Sequence, residues 1–152
     1  MEPSFKLAET ADADTLIEMM RDFNAHERIA FDETEVRAVL AQLFTNDAYG
    51  LACLIMFNQE VAGYFVLAFG FSVEFRGRDA FIDELFMKEE FRGRGLGAAA
   101  LRHAEELCRP RGVRALHLEV ERQNTAAQSV YRRAGFADHD RYLLTKWIET
   151  MK

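Results

Sequence analysis

The chain has 152 residues, 49% hydrophobic and 29% charged, which makes one domain with enough apolar material for a core and no room for a second. Its formal net charge of −6 argues against a nucleic-acid partner, because displacing counterions from phosphates takes lysine and arginine. Cys53 and Cys108 have no CxxC spacing and His26, His103, His117 and His139 are scattered, so two free thiols and no metal site are expected.

In chain order, the start MEPSFKLAE lacks the basic residues and apolar run of a secretion signal, which predicts a cytoplasmic protein. Phe5 to Leu7 reads as a short first strand. Leu16, Ile17, Met19, Met20 and Phe23 recur at helical spacing, with Asp14 in the first turn. A second helix fits Asp32 to Phe44, with Asp32 as N-cap, Glu35 as its capping-box partner and Val36, Val39, Leu40 and Leu43 on one face. Leu51 to Phe57 and Val61 to Val73 are rich in β-branched and aromatic residues and flank Asn58-Gln59-Glu60, a hairpin pattern. The second of these stretches is shorter than the ~20 residues of a membrane span and is broken by Gly63 and Gly70, so no membrane partner is expected. After a turn near Gly77, Phe81 to Met87 reads as the fourth strand.

A helix from about Gly95 to Arg109 follows, its inner face carried by Leu96, Ala100, His103, Ala104 and Leu107 and its end marked by Pro110 and Gly112. Ala115 to Val120 is a fifth strand, Thr125 to Ala134 a helix stopped by Gly135, and Phe136 to Asp138 with Tyr142 to Trp147 a closing hairpin. The order is that of an α/β domain with a mixed sheet. Arg76, Arg78, Lys88, Arg92, Arg94 and Arg102 gather around the glycine-rich stretch, while acidic residues load the first 35 positions. That asymmetry suits an anionic cofactor at one end and a cationic acceptor near the other, although solvated helix faces explain the acids equally simply.

The sharpest signal is Arg92-Gly93-Arg94-Gly95-Leu96-Gly97-Ala98 at the mouth of the central helix. Glycines there let the backbone take positive φ and aim several N–H groups at one place, which is also the positive end of the helix dipole. A phosphate is the natural occupant. A P-loop is excluded, because Gly97-Ala98-Ala99 stands where Gly-Lys-Ser/Thr is needed. A dinucleotide fingerprint fits loosely, as Gly93-x-Gly95-x-x-Ala98 with Glu119 downstream. Against it, a charged turn separates strand from glycines and too little chain follows for a second half.

Arg92-x-x-Gly95-x-Gly97, preceded by Leu85-x-Met87 and followed by Asn124-x-x-Ala127-x-x-x-Tyr131-x-x-x-Gly135-Phe136, resembles the GCN5-related N-acetyltransferase (GNAT) superfamily over the C-terminal half of the chain. The resemblance implies a single acetyltransferase domain over residues 1–152, with a mixed, mostly antiparallel sheet, splayed central strands and about four helices. It implies acetyl-coenzyme A as acyl donor, its pyrophosphate held by Arg92, Gly93, Arg94, Gly95, Leu96, Gly97 and Ala98. Its arm would lie against main-chain groups of Phe86 and Met87, with Asn124 and Tyr131 also at the coenzyme. The Asn24 to Phe31 loop would line the acceptor site. Glu89 departs from a pattern that often has proline in this turn.

Attack of an amine on a thioester needs a base, because an ammonium of pKa ~10.4 is not nucleophilic at neutral pH. Asp83 and Glu84 are the candidates, projecting to opposite faces of the fourth strand. Glu84 would share a face with Ile82 and Phe86, where burial raises its pKa. Asp83 remains open, as does pairing of either carboxylate with Arg94 or Arg102. The resemblance assigns Met87 N–H to the oxyanion and Tyr131 as the acid that protonates the leaving thiolate; spacing alone makes Tyr131 a packing residue beside Ala127 and Ala134. Asn124 or Thr125 would cap the last helix, Thr125-x-x-Gln128 forming a capping box. A small primary amine, polyamine-like or an amino-acid derivative, is expected to react by direct attack in a ternary complex. A protein N-terminus or lysine is the alternative, a non-catalytic acyl-coenzyme A sensor the rival from another class, and a homodimer is possible.

Overall fold

The structure, a computed structural model, describes residues 2–148. Four strands, β1 (Ser4–Leu7), β2 (Gly50–Phe57), β3 (Glu60–Ser72) and β4 (Gly77–Met87), form an antiparallel meander, and β5 (Ala115–His117) adds to β4 in parallel. The β2–β3 turn places Asn58 and Gln59 at φ 53° and 65°, the left-handed pair that matches the twist of a tight hairpin. The helices are α1 (Ala13–His26), α2 (Glu33–Thr45), α3 (Leu96–Cys108) and α4 (Thr125–Arg133).

Alternation along β2 divides the interior. Ala52 and Leu54 pack with Leu16, Met19, Met20 and Leu40 of α1 and α2, whereas Cys53 and Ile55 pack with Ala100, Leu101 and Ala104 of α3. Each face of the meander therefore has its own helical cover. The second helix has its expected N-cap, the Asp32 carboxylate accepting from Glu35 N–H at 3.2 Å, but the Glu35 side chain does not return the bond that would complete a capping box. The third ends in a 3-10 turn, Arg109–Arg111, with Gly112 at φ 72°. Both cysteines are free and buried, and burial pushes the Cys53 thiol up to about 12. No helix among the described residues is long and apolar enough to cross a membrane.

Three expectations need correction. In β4, Val66 pairs with Glu84 but Leu67 with Ile82, leaving Asp83 as the extra residue of a β-bulge. The bulge shifts the side-chain parity. Ile82 packs on the α3 face, while Phe86 stays on the α1–α2 face, where Tyr64 also reaches Glu84; Ile82 and Glu84 do not share a side. Second, β5 stops at His117, because it pairs with β4 only through Asp79–Ala115, Ala80–Leu116 and Phe81–His117. Beyond Phe81 the two strands part, which is the expected splay. Third, no strand forms in residues 136–148, so the closing hairpin is missing. Strand-like patterning is local, but a strand needs a partner, and here Arg132–Asp138 (2.7 Å) and Arg141–Glu74 (2.5 Å) ion pairs hold the segment instead.

Arg76 and Arg78 also lie away from the glycine loop. Arg78 donates to Arg111 O at 2.7 Å, at the far end of α3, and ~10 strand residues at ~3.3 Å each separate it from Lys88.

Candidate active site

The loop before α3 is built as the glycine spacing predicts. Gly93 and Gly95 take φ 75° and 76°, Gly95 being the N-cap of α3, and a Cβ on Gly93, Gly95 or Gly97 would meet nothing within 4 Å. No acceptor among the described residues takes the amides of Gly93 to Ala98. Six successive N–H groups at a positive helix end, in space no side chain fills, fit a diphosphate. The two arginines turn back on the protein: Arg92 Nε donates to Met87 O (3.0 Å), and the Arg94 guanidinium lies 5.8 Å from the Phe57 ring. The cradle is thus made of backbone.

One edge of the splay is equally specific. Lys88 N–H donates to Ala62 O at 2.8 Å, so alternation turns the N–H of Met87 and of Leu85 the other way, into the gap left by β5. Met87 O is taken by Arg92, which leaves Met87 N–H open to the gap. The carbonyl of Phe86 points instead to β3, where a Cβ on Gly63 would come within 2.2 Å of it. Phe86 therefore does not present main-chain groups to the gap; its ring lines the neighbouring cleft.

Glu84 and Tyr131 stand on opposite sides of β4. The Glu84 carboxylate accepts from the buried Tyr64 hydroxyl at 2.6 Å, on the α1–α2 face. Desolvation raises its pKa, the nearby Asp83 charge adds to the rise, and the Tyr64 hydrogen bond opposes it. Desolvation also raises Asp83, although that side chain stays exposed. Neither Arg94 nor Arg102 pairs with them, so the ion-pair alternative is not what forms. Tyr131, half-buried on α4, packs in the α3-face cluster that holds Leu85 and Met87, its ring 6.3 Å from Phe136. Burial first, and the charge of Glu27 second, raise its pKa, so the hydroxyl stays protonated.

Asn124 caps α4 itself, its Oδ1 accepting from Ala127 N–H at 3.2 Å. Gln128 does not complete a capping box; its Nε2 donates to the Glu121 and Arg122 carbonyls and fixes the approach to α4. Tyr64 was invisible to sequence reasoning, because its partner lies 20 residues away across the sheet. A cleft of about 530 Å³ opens beside Phe86 and Arg92 and carries Glu18, Asp22, Glu89 and Glu90 on its wall, against the cations Lys88 and Arg92.

An acetyltransferase (GNAT) family model matches residues 15–136. An uncharacterized N-acetyltransferase of Methanocaldococcus jannaschii is 36% identical over 71 residues, covering 47% of this chain and 30% of that protein. Thialysine N-epsilon-acetyltransferase of Bos taurus is 30% identical over 78 residues, 51% of this chain and 45% of that one. The chain thus spans less than half the length of these curated relatives. Among solved structures, an integron cassette protein from the mobile metagenome of Cole Harbour Salt Marsh superposes with a TM-score of 0.84 at 33% identity, over 96% of this chain and 91% of that one.

Proposed function

The chain belongs to the GNAT family of acetyltransferases, and from that premise we propose that it moves an acetyl group from acetyl-coenzyme A to the primary amine of a small cationic molecule. Acetyl-coenzyme A, when bound, supplies the activated acetyl group as a thioester. The amides of Gly93 to Ala98 hold its diphosphate, and Met87 N–H, facing the gap, donates to an acyl oxygen that gains negative charge. The residues then divide the proton work by side. Glu84, steadied by Tyr64, takes the proton from the amine on the α1–α2 face, directly or through water. Tyr131 gives a proton to the departing sulfur on the α4 face. Asp83 raises the affinity of Glu84 for that proton and is its rival as the base.

The observation that carries this reading is the pairing of a half-buried, hydrogen-bonded carboxylate and a protonated phenol across an unzipped strand edge, next to an unpartnered run of amides. The acidic wall of the cleft supports a cationic acceptor. The name of the bovine relative, an acetyltransferase of a lysine analogue's ε-amine, supports an amino-acid derivative as strongly as a polyamine.

Thiol release measured over a panel of diamines, polyamines, lysine analogues and peptides tests it. Turnover should be highest with small amines that carry a second positive charge, and Asp22→Asn should raise KM for the amine several-fold with that for the coenzyme unchanged. Binding of the coenzyme without turnover on any amine would make the chain a sensor instead.

A further inference from the structure

His117 stands on the last rung that β4 and β5 share before they part, opposite Phe81. Its imidazole is held on three sides. Nε2 lies 3.3 Å from Asp79 Oδ2, and the ring centres of Phe75 and Phe81 are 4.4 and 4.9 Å away. Both members of the pair are largely shielded, with side-chain exposures of 15% for His117 and 13% for Asp79. The carboxylate has its place because Gly70 has no side chain: a Cβ there would stand 2.9 Å from Asp79 Oδ1. A carboxylate beside one ring nitrogen orients the imidazole and steadies its protonated form. That leaves Nδ1, which has no partner among the described residues, to exchange protons. The acid–base steps at Glu84 and Tyr131 do not use this pair.

The pair and Glu84 share a face of the sheet. Ala80 and Ile82 point to α3, so Asp79 and Phe81 point the other way, and past the bulge Glu84 does too. Against β3, Phe81 stands opposite Ala68 and Glu84 opposite Val66, two positions along. One strand across at ~4.8 Å and two positions along at ~3.3 Å each put the backbones of His117 and Glu84 roughly 8 Å apart, a span that two side chains and one water close. The other sides of Glu84 are taken. Tyr64 binds it from β3, Phe86 and the acidic cleft lie further along β4, and the gap toward β5 is the place of the coenzyme arm in the proposed reaction.

We infer that the Asp79–His117 pair empties the base: His117 Nδ1 receives, through one water, the proton that Glu84 has taken from the amine, and passes it to solvent. The step rests on Glu84 as base. An ammonium that becomes an amide gives up two protons; one ends on the departing sulfur by way of Tyr131, and the other must leave Glu84 before the next turnover. With both substrates seated, the side toward Phe81 and His117 is the open one. The charges that face the ring suit a proton in transit: Asp79 on β4 and Glu74 in the β3–β4 turn are anionic, Arg141 is paired to Glu74, and His139 lies beyond Phe75.

His117→Phe keeps a ring between Phe75 and Phe81 and removes both nitrogens. It should melt like the parent and bind the coenzyme equally in calorimetry, yet lose about tenfold or more in kcat. Because the lost step follows the chemistry, kcat/KM for the amine should hold, whereas Glu84→Gln should lower it. For His117→Ala, folded by circular dichroism, imidazole in the buffer should restore kcat in proportion to its concentration and leave the parent unaffected. Parent-like kcat in His117→Phe overturns the inference, as does a fall in kcat/KM equal to that in kcat, or a loss in His117→Ala that imidazole does not repair. Glu84→Gln separates the two readings. If it is inactive while His117→Phe turns over normally, the proton outlet alone fails; if it turns over normally, or if no amine is acetylated, the base fails and the outlet with it.

Discussion

The stretch up to Cys108 and the stretch after it are built differently. The first carries every buried apolar residue, with two helices on one face of the meander and α3 on the other. The second carries none among its described residues, although Asn124 and Tyr131 belong to it. The packed part shapes rigid features, the amide cradle, the bulge and the Tyr64–Glu84 bond; the open part brings Tyr131, the proposed proton donor, on a helix capped mainly by its own Asn124. Binding and proton delivery should therefore fail separately.

Gly95→Val is the strongest way to break the packed side. A β-branched residue at φ 76° is strained and its side chain enters the cradle, so coenzyme binding should be lost in calorimetry while Tyr131 is untouched. Normal affinity would remove the diphosphate assignment. On the open side, Tyr131→Phe should lower kcat by about one to three orders of magnitude with coenzyme affinity nearly unchanged. Unchanged turnover would take Tyr131 out of the mechanism.

Gly63→Ala sharpens the contrast from the strand beside the bulge. Its Cβ would meet Phe86 O at 2.2 Å and the Met87 sulfur at 2.9 Å, so thermal unfolding should show a loss of about 1–3 kcal/mol. The displaced Met87 amide should lower kcat as well. The mildest change is Tyr64→Phe. The hydrogen bond it removes lowers the Glu84 pKa, so its loss lets that pKa climb further; the base is active only when deprotonated, and the acid limb of kcat/KM moves to higher pH. A limb that stays in place would point to Asp83 or to water as the base.

What was legible in the sequence follows the same division by distance along the chain. The glycine loop, the Asn58-Gln59 turn, the Asp32 cap and the stop at Gly112 are written in neighbouring residues, and each forms where its pattern stands. The bulge at Asp83 is a property of register against β3, so a strict alternation placed Ile82 and Glu84 together when they part. Nothing local marks Tyr64, because its acceptor lies on another strand. Residues 136–148 have the residue types of strands, but nothing local states whether a partner edge is at hand.

The extra residue at Asp83 acts as a phase shifter. Upstream of it, Ala80 and Ile82 pack on the α3 side; downstream, Leu85 and Met87 take that side, and Glu84 and Phe86 face α1 and α2. Deleting that one position would restore a regular ladder in which Glu84 keeps its place opposite Val66 and beside Tyr64, and only the local twist that the bulge adds would be lost.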